Sequence, residues 1–363
     1  MNYIHDEAAL ERIRSRLRIE PGHVRRLRNC FYKKHQSPEA SLGQLPESQR
    51  ATFGREVTFH ALKLRSRHDS RLDGASKLLF HTTSGQLLET VILRIASGRT
   101  SLCVSSQVGC AVRCRFCATG QMGIALNLTR DEILDQVIQA NRQLRAEGRS
   151  IRNVVFMGMG EPLLNEAEVH QALDVLLSPQ CFDLSPAHVL VSTVGIPDAM
   201  LRCAERFPNV GMALSLHSAR QEQRELLIPL AHRYPLDVLR EAMEHVAAIQ
   251  RHPLMIEYLL LDGLNDTDQD VNELIAYLRG LRVHINLIPH NSIREAPDLI
   301  GTAAERRRWF AATLTAAGFT VTVRYSLGAD IAAACGQLAR LETVPSAEDS
   351  KCGEDVGQQV ERF

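Results

Sequence analysis

The strongest constraint on the fold is an alternation, from residue 100 onward, between short apolar segments and segments with helical periodicity. The apolar segments predict strands at residues 100–106, 153–158, 188–192, 210–216, 254–261 and 282–288. Helical spacing appears between them, for example from Ile133 to Ile138, and Thr129 with Glu132 predicts a capping box. Strands that alternate with helices form a parallel sheet with helices outside. Six such units predict an α/β fold, an incomplete (β/α)6 barrel over residues 100–340, with its site at the carboxyl ends of the strands.

The segment before the alternation is basic. Residues 1–71 contain 15 Lys and Arg against 8 Asp and Glu, although the whole chain has no formal net charge. Amphipathic helices are predicted at residues 8–18 and 21–34, where Pro21 opens the second helix. We therefore expect a small helical domain over residues 1–75. Its positive charge would suit binding to a polyanion. Alternatively, the basic residues simply form a solvated face of the helices.

Two shorter segments flank the predicted barrel. Residues 76–99 contain two apolar runs joined by a Thr-Ser-Gly turn, which predicts a hairpin that connects to the barrel. Residues 341–363 contain 2 Lys and Arg against 6 Asp and Glu and predict an acidic, disordered tail.

Composition limits where the chain can work. With 363 residues and 45% hydrophobic content it can bury a large core. No apolar run approaches the roughly 18 residues of a membrane span, and the N-terminus lacks a signal-peptide pattern, so we expect a cytoplasmic protein with no membrane partner. Nine cysteines at irregular spacing favour metal-binding or catalytic thiols over a disulfide framework.

Three of these cysteines, Cys110, Cys114 and Cys117, form a Cys-x3-Cys-x2-Cys motif. A structural zinc site needs four protein ligands, whereas three thiolates on a four-iron cluster leave one iron open for a ligand that is not protein. The motif therefore suggests an iron–sulfur cluster with chemistry at the open iron, and Phe116 could shield it. The alternatives are a zinc site completed by Cys103 or a distant histidine, and thiols that are merely buried.

Several polar residues follow the predicted strands, where ligands of a barrel bind. Met157-Gly-Met-Gly-Glu-Pro162 combines close backbone approach at Gly160 with a carboxylate, Glu161, that can accept bonds from an ammonium group. The other candidates are Ser192, Ser215 with Leu216 and His217, and Asn291. Each alone could equally be an ordinary turn or loop residue with satisfied hydrogen bonds.

Taken together, the motifs resemble the RlmN/Cfr family of radical S-adenosylmethionine (radical SAM) RNA adenine methyltransferases. The resemblance runs from about Glu89 to Leu338 and rests on the cysteine motif, Cys103-Val-Ser-Ser-Gln-Val-Gly, Met157-Gly-Met-Gly-Glu-Pro-Leu, Ser215-Leu-His and Ala334-Cys-Gly-Gln-Leu. It implies a radical SAM barrel with one 4Fe–4S cluster on Cys110, Cys114 and Cys117. It also implies S-adenosylmethionine contacts at the strand-end residues Gly160, Glu161, Ser192, Ser215, Leu216, His217 and Asn291.

The resemblance also assigns catalytic roles. Cys335 would take a methyl group from one S-adenosylmethionine and then lose a hydrogen atom from it to a radical made from a second. Cys103 would release the protein–RNA adduct by forming a disulfide with Cys335. Glu89 matches the family's proton acceptor. Without the resemblance, both cysteines would be read as buried packing residues and Glu89 as a solvated strand carboxylate.

The implied partners are RNA, namely 23S ribosomal RNA and transfer RNA, and a low-potential electron donor such as flavodoxin. The family methylates adenosine at C2 or, in its Cfr branch, at C8. Leu327 stands where the C2 branch carries an arginine, and segments such as Cys117-Ala-Thr-Gly resemble the Cfr branch. The competing hypotheses are a radical SAM enzyme with another substrate and a non-catalytic iron–sulfur protein that binds RNA or transfers electrons.

Overall fold

The computed structural model describes residues 2–95 and 97–338. The predicted tail at 341–363 lies outside the described residues. The N-terminal part contains the helices α1 (Glu7–Arg16), α2 (Pro21–Arg28), α3 (Pro38–Leu42) and α4 (Glu47–Glu56), with a π-helical turn at Asn29–Lys33 and a parallel pair of short strands, β1 (Asn2–Tyr3) and β2 (Val57–Thr58). The two helices predicted at 8–18 and 21–34 are thus confirmed.

Local sequence explains where these helices begin. The Asp6 side chain accepts a hydrogen bond from the backbone N–H of Ala9 and caps α1, and Pro21 occupies the first turn of α2. These helices pack around a separate apolar core, in which Phe31, Tyr32 and Phe53 are almost fully buried and to which Ile138 and Cys181 of the barrel region also contribute. Truncating such a core phenylalanine to alanine would cost about 3–5 kcal/mol of folding free energy.

The remaining strands are β3 (Leu62–Asp69), β4 (Ala75–Thr82), β5 (Leu87–Arg94), β6 (Thr100–Cys103), β7 (Gln107–Gly109), β8 (Ala125–Asn127), β9 (Asn153–Phe156), β10 (Val189–Thr193), β11 (Gly211–Ser215), β12 (Leu254–Leu260), β13 (Val283–Pro289) and β14 (Thr320–Val323). Ten of them form one sheet in the order β14-β13-β12-β11-β10-β9-β6-β5-β4-β3, and β7 pairs with β8 separately. Strands β6 and β9 to β14 run parallel to one another, whereas β5, β4 and β3 continue the sheet from β6 as antiparallel strands. The sheet ends in two edges, so the barrel is incomplete, as predicted.

Helices cover the sheet between successive parallel strands. They are α5 (Arg130–Arg145), α6 (Glu166–Leu177), α7 (Pro197–Arg206), α8 (Gln221–Leu227), α9 (Leu236–Ile249), α10 (Asp268–Leu278) and α11 (Ala304–Ala316). The predicted capping box of Thr129 and Glu132 is present at the start of α5. Apolar side chains such as Leu134 and Leu274 are fully buried against the sheet.

The six predicted barrel strands and the hairpin of β4 and β5 are confirmed, but the sequence did not predict the short pairs β1 with β2 and β7 with β8, nor the sheet strands β3 and β14. Strand β3 lies within residues 1–75, which were expected to be helical throughout, and β14 is a seventh parallel strand. Both are edge strands: β3 carries Lys63 and Arg65 exposed, and most of β14 is exposed. An edge strand needs no apolar run, because one side faces water. Among the described residues, no helix is both long and apolar enough to cross a membrane.

Candidate active site

A cavity of about 610 Å³ opens at the carboxyl ends of the parallel strands. It brings together most of the predicted site residues, although they are scattered over more than 200 positions of the sequence. The cavity is lined by the motif cysteines Cys110, Cys114 and Cys117, by Cys103 and Cys335, and by Gly160, Glu161, Ser192, Ser215, His217 and Asn291. Two predicted residues, Glu89 and Leu216, do not line it.

The loop that carries the three motif cysteines, residues 110–117, is shaped mainly by its own backbone, and the Arg115 N–H also donates to the Leu227 carbonyl at 3.0 Å. Arg113 adopts a left-handed conformation with φ of 58°, and the Cys117 N–H donates to the Cys114 carbonyl at 3.2 Å. The Gln121 side chain also donates to that carbonyl. These bonds turn the loop so that all three thiols face the cavity. We call this segment the cluster loop.

Burial raises the pKa of each cluster-loop thiol, to about 12 for Cys110. The charges of Cys117 and Cys110 raise the pKa of Cys114 further, so the three thiolates would repel one another in this region. Positive metal charge would stabilise them. Within the described chain, no three His, Cys, Asp or Glu side chains converge on a point suited to a single metal ion. A cluster fits this donor set, because its thiolates bind different irons.

Next to the cluster loop, Phe116 packs edge to face on His217, with ring centroids 4.7 Å apart. His217 has a left-handed φ of 58°, and its Nδ1 accepts a hydrogen bond from the Leu259 N–H at 3.0 Å. Burial lowers the pKa of His217 to about 3, so the ring is neutral and carries its proton on Nε2. His217 is therefore a hydrogen-bond donor at the cavity wall. Leu216 instead points into the barrel core and is fully buried.

The glycines of the Met157–Pro162 motif permit close packing. A Cβ on Gly160, where φ is 97°, would lie 2.5 Å from the Gln107 side chain. Beside it, the Glu161 carboxylate accepts backbone hydrogen bonds from Leu163 at 3.0 Å and Val194 at 2.9 Å. Burial nevertheless raises the pKa of Glu161 to about 7. A bound ammonium group would restore its negative charge. The serines Ser192 and Ser215 stand in the last two positions of β10 and β11.

Cys103 ends β6, and Cys335 lies in the segment 328–338, which we call the Cys335 loop. Burial raises the pKa of Cys103 to about 12, and the charge of Cys335, which lines the same cavity, adds to this shift. The pKa of Cys335 is raised to about 11 by the protein around it, although its side chain is accessible from the cavity. Arg324 lowers the pKa of both thiols. Both are free, so the disulfide implied by the resemblance is not formed in this state.

The side chains of Asn291 and Glu89 form bonds to protein groups that the sequence did not predict. The Asn291 amide donates to Ser326 Oγ at 3.0 Å and to the Cys335 carbonyl at 3.1 Å, so it holds the Cys335 loop. Glu89 is fully buried on β5 and forms an ion pair with Lys77 Nζ at 3.1 Å. Lys77 also reaches the carbonyl of Ala332 in the Cys335 loop, at 3.4 Å.

Three residues of the site were missed from the sequence. Arg324 and Glu257 line the cavity, and Arg224 is buried behind the cluster loop, where burial lowers its pKa to about 10. A carboxylate within the apolar strand segment 254–261 was a signal that could have identified Glu257. The arginines carried no comparable signal, because arginine is common on surfaces. The other cysteines of the described chain, Cys30, Cys181 and Cys203, are buried, as expected for packing residues.

Comparison with known proteins agrees with this geometry. Residues 104–278 match the model of the radical SAM superfamily. The chain is 52% identical to a probable RNA methyltransferase of Rhodopirellula baltica, over 93% of this chain and 87% of that protein. It is 40% identical to the probable dual-specificity RNA methyltransferase RlmN of Thermus thermophilus, over 85% and 86%, and 34% identical to the ribosomal RNA large subunit methyltransferase Cfr of Staphylococcus aureus, over 88% and 92%. A radical SAM methyltransferase from Sphaerobacter thermophilus has a similar structure, with a TM-score of 0.88, 36% identity and coverage of 94% of this chain and 100% of that one.

Proposed function

Because the chain belongs to the RlmN/Cfr family of radical SAM RNA methyltransferases, we propose that it methylates a ring carbon of adenosine in RNA through a methyl group carried on Cys335. Membership makes it an enzyme that uses an iron–sulfur cluster and S-adenosylmethionine and acts on RNA. The proposed substrates are 23S ribosomal RNA first and transfer RNA second. The observation that carries the proposal is that Cys335 and Cys103 line the same cavity as the three cluster-loop cysteines.

The cofactors are assigned to particular residues. Cys110, Cys114 and Cys117 hold one 4Fe–4S cluster, and two molecules of S-adenosylmethionine are used in each turnover. When bound, the cluster and S-adenosylmethionine supply the 5′-deoxyadenosyl radical that removes a hydrogen atom. Glu161 accepts hydrogen bonds from the ammonium group of S-adenosylmethionine. The Ser192 and Ser215 hydroxyls and the Nε2–H of His217 bind its other polar groups.

Cys335 acts first as a nucleophile. Its thiolate attacks the methyl carbon of S-adenosylmethionine, and the carbon–sulfonium bond breaks with its electrons on the departing sulfur. The positive charge of Arg324 favours that thiolate, since it lowers the pKa of Cys335. The methyl group on Cys335 then loses a hydrogen atom, and the resulting methylene carbon bonds to the adenine ring carbon. That ring carbon gives up its own hydrogen as a proton to the base proposed at Glu89, and the remaining unpaired electron would return to the oxidised cluster. A ring carbon of adenine needs this route, because it is electrophilic and does not displace a methyl group itself.

Cys103 ends the reaction. Its thiolate attacks the sulfur of Cys335, the sulfur–carbon bond breaks, and the transferred carbon keeps the electron pair and takes up a proton. A disulfide between Cys103 and Cys335 remains and must be reduced before the next turnover. Glu89 is proposed as the proton acceptor on the family resemblance alone. Its ion pair with Lys77, which reaches Ala332, connects it to the Cys335 loop.

Two partners and the location complete the proposal. An electron donor of low potential, of the flavodoxin type, reduces the cluster. The basic helices of the N-terminal domain expose Arg12, Arg16, Arg25 and Arg26, which suits contact with RNA phosphates. The reaction takes place in the cytoplasm, where RNA and reduced thiols are found together.

We propose C8 as the methylated carbon. Leu327 lines the cavity at the position where the C2 branch has an arginine, so this chain lacks one cation that could hold the RNA at the site. The percentage of identical residues shared with C2 or C8 enzymes reflects the ancestry of the whole chain. It does not indicate whether this one contact to RNA is present.

The test is chromatography of digested RNA, treated with reconstituted enzyme, against authentic 2-methyladenosine and 8-methyladenosine. We expect 8-methyladenosine. Only 2-methyladenosine would overturn the C8 assignment and leave the radical route intact. Formation of 5′-deoxyadenosine without any methylated adenosine would instead indicate another substrate.

A further inference from the structure

The cavity contains one carboxylate that the proposed mechanism does not use. Glu257 lies on β12, in register with Ser215 of β11 on one side and Asn286 of β13 on the other. Only 2% of the residue is exposed, and it lines the cavity. Its Oε2 accepts a hydrogen bond from Asn286 Nδ2 at 2.8 Å. Within the described chain, its Oε1 is buried and has no hydrogen-bond partner.

A row of side chains fixes the orientation of this carboxylate. The Thr322 hydroxyl donates to Asn286 Oδ1 at 3.0 Å and accepts from His284 Nε2 at 3.0 Å. The Asn286 amide therefore has its oxygen toward Thr322 and its nitrogen toward Glu257. A buried polar atom without a partner is rare in a folded protein, so a held carboxylate with one open oxygen indicates a ligand.

Glu257 shares its electrostatic surroundings with Cys335, the thiol proposed to carry the methyl group. Burial raises the pKa of both Cys335 and Glu257, the positive charge of Arg324 lowers both, and the charge of Glu257 further raises the pKa of Cys335. Glu257 also borders the residues proposed to bind the cofactor, because its carbonyl accepts hydrogen bonds from the N–H groups of Leu216 and His217. Since Glu257 and Cys335 line the same cavity, a group bound at Oε1 lies in the space that the base to be methylated must enter.

Adenine offers a suitable donor for this oxygen. Its exocyclic amine donates hydrogen bonds, whereas inosine and guanine carry a carbonyl oxygen at the same ring position. Enzymes that modify a base read its edge with such side-chain hydrogen bonds. Building on the proposed function, we propose that Glu257 Oε1 accepts a hydrogen bond from the exocyclic amine of the target adenosine and thereby selects adenosine for methylation.

The test compares wild-type enzyme and a Glu257→Gln variant on one RNA that carries adenosine, purine riboside or inosine at the target position. Purine riboside lacks the amine. Asn286 Nδ2 would hold the oxygen of the new amide, so the amide nitrogen would face the base and favour the carbonyl of inosine. We use Glu273→Gln, an exposed change on α10, as the control.

For wild type we expect kcat/KM to be about tenfold to a hundredfold lower on purine riboside than on adenosine. The Glu257→Gln variant should lose a similar factor on adenosine, should not distinguish adenosine from purine riboside, and should gain activity on inosine. The control should behave as wild type. Should the variant not fold, Thr322→Val on the exposed edge strand frees the Asn286 amide to rotate and should weaken the same discrimination.

Two results would overturn the inference. One is equal discrimination between adenosine and purine riboside in wild type and in the variant. The other is a raised dissociation constant for S-adenosylmethionine with unchanged base discrimination, which would assign Glu257 to the cofactor, whose adenine has the same amine. Failure of the proposed function itself would look different, since wild type would then produce no methylated adenosine at all.

Discussion

The cluster loop and the Cys335 loop both present thiols to one cavity, yet they are built in different ways. The cluster loop is formed mainly by neighbouring residues, with three cysteines within eight positions, hydrogen bonds within the turn and to the nearby Gln121, and a single long-range backbone bond, from the Arg115 N–H to the Leu227 carbonyl at 3.0 Å. The Cys335 loop is held from outside. Asp330 accepts hydrogen bonds from Ser70 Oγ at 2.7 Å and the Arg71 N–H at 2.9 Å, some 260 positions away, in the turn between β3 and β4.

Further contacts hold the Cys335 loop on both sides. The Gly328 N–H donates to Asp73 at 2.8 Å in the same β3–β4 turn. Just after the cluster loop, the Ala118 N–H donates to the Gly336 carbonyl at 2.7 Å, and Thr119 Oγ1 donates to the Leu338 carbonyl at 2.6 Å. The comparison teaches that the thiols proposed to bind the cluster are placed mainly by local spacing, whereas the thiol proposed to carry the methyl group is placed by long-range contacts. The two should therefore be separable by mutation.

The largest difference in cluster content and activity is expected between the Cys114→Ala and Cys335→Ala variants. Cys114→Ala should lose the cluster and with it both 5′-deoxyadenosine formation and RNA methylation, because a cluster ligand is missing. Cys335→Ala should keep about four irons per chain and the visible absorbance of the cluster, and lose only methylation. Iron and sulfide analysis with product chromatography measures both. Stoichiometric zinc without iron in wild type would contradict the cluster assignment.

This difference also explains how far the sequence could predict the site. The spacing of Cys110, Cys114 and Cys117 suggested a cluster site but left a zinc site open, and the alternation of strands and helices suggested the strand-end residues. Cys335 and Cys103 were found only by family resemblance, since a lone cysteine on a strand or beside alanines reads as packing. Glu257 was overlooked although a carboxylate within an apolar strand segment is a local signal, whereas its pairing with Asn286 of another strand has no local pattern.

Prediction of the fold from the sequence was limited in the same way. The apolar runs of the parallel strands were visible in the sequence, because strands covered on both faces must be apolar. The edge strands β3 and β14 were not, although β3 belongs to the antiparallel extension that supports the Cys335 loop. Glu89 was expected at the reaction centre, and only the structure revealed its buried partner Lys77.

A smaller effect is expected from the anchor of the Cys335 loop. Asp330→Ala removes two hydrogen bonds, each worth about 0.5–1.5 kcal/mol, and should reduce the methylation rate about tenfold. The cluster content and 5′-deoxyadenosine formation should remain, because the cluster loop does not depend on Asp330. The ratio of 5′-deoxyadenosine to methylated RNA reports this uncoupling. Asp262→Ala, on an exposed turn, is the control, and equal effects of the two variants would rule out the anchoring role.

The smallest effect concerns pH and thiol reactivity in cluster-free protein. The pKa of Cys335 is raised to about 11, so its thiolate fraction, and its alkylation rate with iodoacetamide, should rise about tenfold per pH unit between pH 7 and 10. Cys114 is buried and its pKa is raised further, so it should react more slowly at each pH. Mass spectrometry of labelled peptides gives both rates. Faster labelling of Cys114 would contradict the described accessibility.

The central claim is that Cys335 carries the methyl group to the RNA and that Cys103 releases it. The most direct measurement is mass spectrometry of the Cys103→Ala variant after incubation with S-adenosylmethionine, reductant and RNA. Without the thiol of Cys103 the adduct cannot be resolved, so the account predicts a peptide containing Cys335 joined through one carbon to an adenosine. Release of free methylated RNA by this variant, or an adduct on a different residue, would contradict it.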